Sequence, residues 1–384
     1  MSARRFFRQS WRFFVPAVVL AFCNVAFSEG LDDSGNEIQQ IRERVVSDAL
    51  AYLAESGQSE SGLFSDRVGP GVTALAVTAA IRNGRRLDDP MVARGLQALE
   101  GFVKPDGGIY GNGRLKNYET CVAMVCLAGA NANGKYTQVL QDAKAFVTGV
   151  QYGEADRDAT DPWYGGASYG GTGRPDLSNT GCLIEALRSM ESDQNDPAIR
   201  AALAFVSRCQ NLDSVHNDTP FADKVNDGGF YYEIPITKID PSTSEERYTP
   251  NGGLRSYGSM SYNGLKSMIY AGLSKNDPRV KAAVDWVSMH YDLESNPGMG
   301  SAGLYYYYHT FAAGLKAAGV ESLTDKEGTE HDWRADLVTE LATRQNEDGS
   351  WSNDNARWFE NDKNLATSFA LMALAYAAPS EPVE

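Results

Sequence analysis

The sequence predicts an all-helical protein in which six repeated helix pairs close into a ring around a central cavity. Three observations lead there. Three segments open alike, at Asp89-Pro90-Met91, Asp196-Pro197-Ala198 and Asp277-Pro278-Arg279, and such self-similarity marks a repeat architecture. Short glycine turns closed by an aromatic or apolar residue recur between helical stretches, at Asp106-Gly107-Gly108-Ile109-Tyr110, Asp227-Gly228-Gly229-Phe230 and Asp348-Gly349-Ser350-Trp351. Looser copies stand at Gly62-Leu63-Phe64, Trp163-Tyr164-Gly165-Gly166 and Pro297-Gly298-Met299-Gly300. Finally, a more charged helix precedes each turn and a small, apolar one follows it.

The elements follow in order. The first helices of the pairs fall near 37–55, 91–101, 138–149, 197–209, 278–290 and 330–345. Three begin with Asp before Pro, because Asp caps the free amides and Pro has no N–H to leave unpaired. Their charge assigns them to an outer ring. The second helices, near 70–82, 117–131, 178–190, 256–272, 303–317 and 364–377, are rich in Ala, Leu, Thr and Ser, as suits a crowded inner ring. In the turns, Asp bonds local amides while glycine supplies positive φ. Because the turns feed the inner-helix N-termini, their loops gather at one mouth. The stretch 211–254 is too long for a connector and is expected to build part of that mouth.

Ahead of the ring, Arg4, Arg5, Arg8 and Arg12 precede a mostly apolar run from Phe13 to Phe27, and Ala26-Phe27-Ser28 offers a small-x-small cleavage site. Residues 1–28 therefore read as a signal peptide for export to the periplasm or the extracellular space, with a retained membrane anchor as the alternative. The Arg4-Arg5 pair is compatible with twin-arginine export. Residues 29–384 read as one domain without a membrane span. Hydrophobic residues at 42% and charged residues at 22% exclude wholesale disorder. Loss of four arginines takes the net charge from −15 to −19, which disfavours nucleic acid as a partner. Cys121, Cys126, Cys182 and Cys209 show no metal-ligand spacing, and Cys182 and Cys209 are expected as buried thiols in preference to a disulfide.

The run Gln345-Asn346-Glu347-Asp348-Gly349-Ser350-Trp351 resembles the Gln-x-x-x-Gly-x-Trp repeat of squalene–hopene and oxidosqualene cyclases, whose toroid prenyltransferase β-subunits share. The resemblance covers nearly the whole mature chain. It implies an all-α (α/α)6 toroid with an apolar cavity that holds polyisoprenoid chains in relatives. Where bacterial squalene cyclases carry Asp-x-Asp-Asp, this chain has Asp176-Leu177-Ser178-Asn179, so only the first acid is kept. Tyr308-His309-Thr310 is similar to the segment that carries the zinc-binding His of protein prenyltransferases, but Ser259-Met260-Ser261-Tyr262 stands where Asp-x-Cys would be. A lone imidazole is a poor zinc site, so no metal or other cofactor is expected.

Polar runs at the inner-helix starts direct attention to one mouth. Asp176 and Glu119 are the candidate catalytic carboxylates. Tyr118, Trp163, Ser178, Asn179, Tyr257, Tyr262, Tyr305, Tyr308, His309 and Asn364 are candidate ligand-binding residues. N-capping by Asn117, Asp176 or Ser178, with Thr120, Thr180 and Thr367 bonding back along their helices, accounts for many of the same residues. Of the four tyrosines from Tyr305 to Tyr308, one or two should reach the lumen. Asp156 and Asp158 read as solvated loop charge. The leading functional expectation is an exported toroid that binds an apolar or amphipathic small molecule. The alternatives are a carbohydrate-active enzyme using a carboxylate pair across the cavity and a scaffold for a protein partner.

Overall fold

The computed structural model describes residues 25–153, 157–235 and 247–379. Its helices alternate outer and inner along the chain: α1 (Val25–Tyr52) and α2 (Gly71–Arg82); α3 (Pro90–Glu100) and α4 (Lys116–Gly129); α5 (Thr137–Gly149) and α6 (Leu177–Ser189). After α7 (Pro197–Arg208) comes a short α8 (Ala222–Val225) within the long loop, then α9 (Gly258–Tyr270). The last pairs are α10 (Pro278–Met289) with α11 (Leu304–Ala318), and α12 (Trp333–Arg344) with α13 (Lys363–Tyr376).

Each inner helix packs on the next, from α2 through α4, α6, α9, α11 and α13 back to α2, and α12 lies against α1 to close the outer ring. The inner helices are nearly all buried, α2 without interruption from Gly71 to Ala80, whereas α3 and α7 bury a single stripe. Small side chains are what let six inner helices crowd so closely. The expected all-α six-pair ring is the observed fold.

Local chemistry explains the repeat. Asp89, Asp196 and Asp277 each accept the amide two residues on, with Pro at the first helical position. The glutamines before the turns act as clamps. Gln345 Nε2 donates to Gly349 O and to Val45 O on α1, both at 2.9 Å. Gln58, Gln151 and Gln210 tie their own turn to the next outer helix in the same way. Gly349 shows why the turn needs glycine: φ is +82°, and a Cβ there would lie 2.5 Å from Asp48 O. Trp351 then plugs the gap, with no exposed surface. Its backbone N–H donates to Thr367 Oγ1 at 3.0 Å and its indole to Leu341 O at 2.9 Å. Thr73, Thr120, Thr180 and Ser261 receive the corresponding turn amides, so these hydroxyls join turn to inner helix, and those of Thr120, Thr180 and Ser261 also bond back along it.

Some expectations need correction. Between α11 and α12 a two-residue hairpin, β1 (Leu323–Thr324) with β2 (Glu330–His331), turns on Gly328, and α12 starts only at Trp333, where Asp332 caps it. Asn117 caps nothing. It lies inside α4 and donates to Ser168 O at 2.8 Å. All four cysteines of the ring are free. The signal-peptide reading concerns residues outside the described ones, except for the last four, which begin α1; Asp156 also lies outside them. Among the described residues, no helix is long and apolar enough to cross a membrane.

Candidate functional site

At the mouth where the glycine turns meet the inner helices, a cavity of about 580 Å³ opens into the ring. Its walls are tyrosine and aliphatic: Tyr118 from α4, Tyr257 ahead of α9, Tyr306 from α11, Val72 and Leu75 from α2, and Leu365 and Phe369 from α13. Tyr169, from the loop ahead of α6, and Tyr232, from the long loop, complete the aromatic wall. That places part of 211–254 at the mouth, as expected. Burial raises the phenols of Tyr118, Tyr232, Tyr257 and Tyr306 far above their ordinary range, so each offers a neutral hydroxyl and a π face.

The carboxylates differ in how far they are committed. Glu360 is 1% exposed and accepts the amides of Tyr305 (3.2 Å) and Tyr306 (2.8 Å) and the Asn353 side chain (2.8 Å), so it caps α11. Asp362 caps α13 through the Leu365 amide and receives the Ser65 hydroxyl. Glu119 accepts one amide, from Gly111 at 2.9 Å, and burial raises its pKa. Its Oε1 sits where a side chain on Gly69 would be; a Cβ there would come within 2.3 Å, and φ is +84°. Glu119 is thus the least committed acid facing the cavity, and no second one is free to pair with it among the described residues.

Asp176 is 2% exposed and stands behind the wall as the α6 N-cap. Its Oδ1 accepts from Ser178 Oγ (2.7 Å) and the Asn179 amide (2.9 Å), and its Oδ2 from the Asn179 side chain (2.8 Å). Burial lifts its pKa to about 6, while bonds from Ser178, Asn179 and Tyr232 pull it back down. The cavity meets the Ser178 hydroxyl, not the carboxyl. A serine hydroxyl is too weak an acid to protonate an alkene.

The other candidate residues scatter. Tyr118, Glu119, Ser178 and Tyr257 come together on the cavity wall, and His309 lies one layer deeper. Asn179 is wholly buried behind Asp176. Tyr262 packs between α9 and α11 on Tyr307 and Phe311. Tyr308 donates to Leu293 O at 2.6 Å and Tyr305 packs edge-on against it, so this pair faces outward and Tyr306 takes the lumen. Trp163 donates to Ile234 O in the rim. Asn364 ties α13 to Gly57 O and Ser65. Among the described residues, no three His, Cys, Asp or Glu side chains could hold a metal.

Sequence reasoning missed Tyr169, Tyr232, Trp358 and Phe359. The last two adopt φ of +57° and +65°, are 46% and 68% exposed, and line the mouth. Their signal was available: aromatic residues in loops just before inner helices.

The fold has a known counterpart. A structure of the type II terpene cyclase MstE from Scytonema, in its apo form, superposes with a TM-score of 0.54 at 13% identity, covering 89% of this chain and 98% of that one. A protein from Actinoplanes (TM-score 0.40, 14% identity, 80% of this chain and 100% of that one) and MstE in complex with geranylgeranyl dihydroxybenzoate as substrate (TM-score 0.35, 12% identity, 89% and 99%) match more loosely. Neither a family model nor a curated protein matches the sequence. At such identity the likeness is one of architecture: this chain has a terpene-cyclase-like all-α fold.

Proposed function

We propose that the ring binds an apolar or amphipathic small molecule, of isoprenoid-like character, in its central cavity. The observation that carries this reading is the cavity itself: about 580 Å³ left open in a ring whose inner helices otherwise pack to the backbone, walled by tyrosine, leucine and phenylalanine. Pockets of this size and lining suit ligands with a large apolar body and few polar groups. Polar groups of the lining, among them Arg67, Arg114, Glu119 and Asp362, come from the loops and inner-helix starts at the mouth, which suits a polar head facing outward. The terpene-cyclase-like fold supports the same ligand class. With Asp176 turned into the helix cap and Ser178 in front of it, the reading is one of binding without the squalene-cyclase protonation step. Cleavage after Ser28 would place the ring, residues 29–384, outside the cytoplasm.

Solvent extraction of the protein purified from its native compartment, followed by mass spectrometry, tests this. A stoichiometric apolar species, absent from a variant whose cavity is filled by Leu75→Trp, is expected. Clean extracts together with no uptake of added isoprenoid alcohols would overturn the reading.

A further inference from the structure

Beneath the cavity lies a second, smaller space of about 40 Å³. Leu75, Tyr118, Cys182, Tyr306 and Phe369 line both spaces, so one layer of side chains separates them. The lower space is polar on its far side, where Thr78, Glu185, Asn263, Lys266 and His309 meet.

Most of these groups are already committed. Thr78 donates to Ala74 O at 2.7 Å, and Asn263 donates to Leu177 O at 2.9 Å. Glu185 is held by Lys266 at 2.7 Å and Arg82 at 3.5 Å. His309 is different. It is 6% exposed, its Nδ1 is buried without a partner, and neither ring nitrogen bonds a described residue. Of the buried side-chain polar atoms without a hydrogen-bond partner among the described residues, only the one on His309 belongs to a side chain that lines either of these two spaces. Buried polar groups are normally satisfied. The ring is also held in place, stacked on Phe369 (5.8 Å, 20°) and flanked by Tyr306 and Tyr376. Burial and the neighbouring Lys266 ammonium pull its pKa down to about 3. The imidazole is therefore neutral, with one nitrogen donating and one accepting, a match for a hydroxyl group. Lys266 keeps further N–H donors beyond the one given to Glu185.

We propose that His309 and Lys266 form a polar subsite below the cavity floor that receives an oxygen-bearing terminus, a hydroxyl or carbonyl, of the ligand held above. This rests on the ligand-binding reading of the upper cavity. A space of about 40 Å³ has room for a small oxygen-bearing terminus, since a single water needs only about 10–15 Å³ of such volume. Along α13 the mouth residue Asp362 and the lower-chamber residue Met372 are ten positions apart, or about 15 Å at the helical rise. The ligand class is thus an elongated apolar molecule with polar groups at both ends.

Displacement of a bound neutral dye, phenylnaphthylamine, by a chain-length series of straight-chain alcohols and the matching α,ω-diols tests the subsite. At the length that spans both spaces, the diol should bind roughly ten-fold more tightly than the alcohol, the worth of one added hydrogen bond. His309→Phe keeps the ring stack and should erase that preference while still binding the alcohol; His309→Gln, with a donor and an acceptor, should keep part of it. Circular dichroism checks that both variants fold. Equal affinity for alcohol and diol in the wild type, or a preference that survives His309→Phe, overturns the subsite and leaves the cavity reading standing. Failure of both ligand series to displace or bind overturns the cavity reading itself.

Discussion

Helix α6 carries a desolvated carboxylate toward each end of the barrel, and the two respond to desolvation in opposite ways. Asp176 caps its N-terminus beside the cavity, and its pKa rises to about 6. Glu185, nine residues and about 13 Å further on, is held far below the usual carboxylate range. Both are desolvated, and desolvation alone would raise both. The difference lies in the neighbours. Asp176 has only neutral donors (Ser178, Asn179 and Tyr232), whereas Glu185 faces the Lys266 ammonium and the Arg82 guanidinium, which also donates to the Tyr376 hydroxyl at 2.6 Å. The lower end is locked by an ion-paired cluster, and the upper end is left hollow. Hollowness at one end is affordable because the glutamine clamps and turn hydroxyls hold that rim by backbone bonds and not by filling its centre.

The contrast can be broken most sharply at the lower end. Lys266→Met leaves Glu185 buried with a single, longer cation contact. Unfolding in urea at neutral pH should show a loss of about 3 kcal/mol or more. A folded-state pKa depressed from 4.5 gives stability that is present above that value and lost as pH falls through the lower, folded one. The gap between wild type and variant should therefore shrink in acid. A loss that is equal at pH 7 and in acid would show that the lock is packing and not charge.

At the upper end the sign reverses. A carboxyl whose pKa goes from 3.8 unfolded to about 6 folded contributes stability that is full below 3.8 and is lost as pH rises through 6. Its loss should amount to up to about 3 kcal/mol across that window. Asp176→Asn removes the titration but keeps a capping oxygen. The variant should gain on the wild type from pH 4 to pH 7, as read from thermal or urea unfolding at matched pH; a constant offset would contradict the account of Asp176.

The rim that permits the hollow end can be tested with Gln210→Leu. This substitution strands the Gly228 and Arg279 carbonyls, and buried unsatisfied acceptors predict a cost of about 1–3 kcal/mol. Hydrogen exchange should accelerate at the 228–230 turn and the start of α10 while α2 and α13 stay protected. Uniform acceleration around the ring would mean that the clamps do not act pair by pair.

The ring was legible because its determinants are local and repeated. Asp-Pro starts, glycine turns and the Gln345 to Trp351 run each state their role within a few residues, and helix boundaries read from them fall within a few positions of those observed, save the start of α1. The site was less legible because it depends on rotation about the helix axis. Four consecutive tyrosines cannot announce which one faces inward. Only the packing of Tyr305 and Tyr308 toward α12 and the 293 carbonyl gives the lumen to Tyr306. Nor could spacing show that Asp176 turns back into its own helix, since Ser178 and Asn179 are both its substitutes in the acid motif and its hydrogen-bond partners. Tyr232 enters the cavity from a loop whose path is set by contacts distant in sequence.

The central claim, that the upper cavity is a ligand pocket, is tested most directly by titrating phenylnaphthylamine into the wild-type ring and into Leu75→Trp. Leu75 lines the cavity and is 7% exposed, so the larger indole should occupy ligand space with a stability change within about 1–3 kcal/mol. The account predicts saturable one-site binding by the wild type and at least a roughly ten-fold weaker signal in the folded variant. Binding that is absent from the wild type, or unchanged when the cavity is filled, would contradict it.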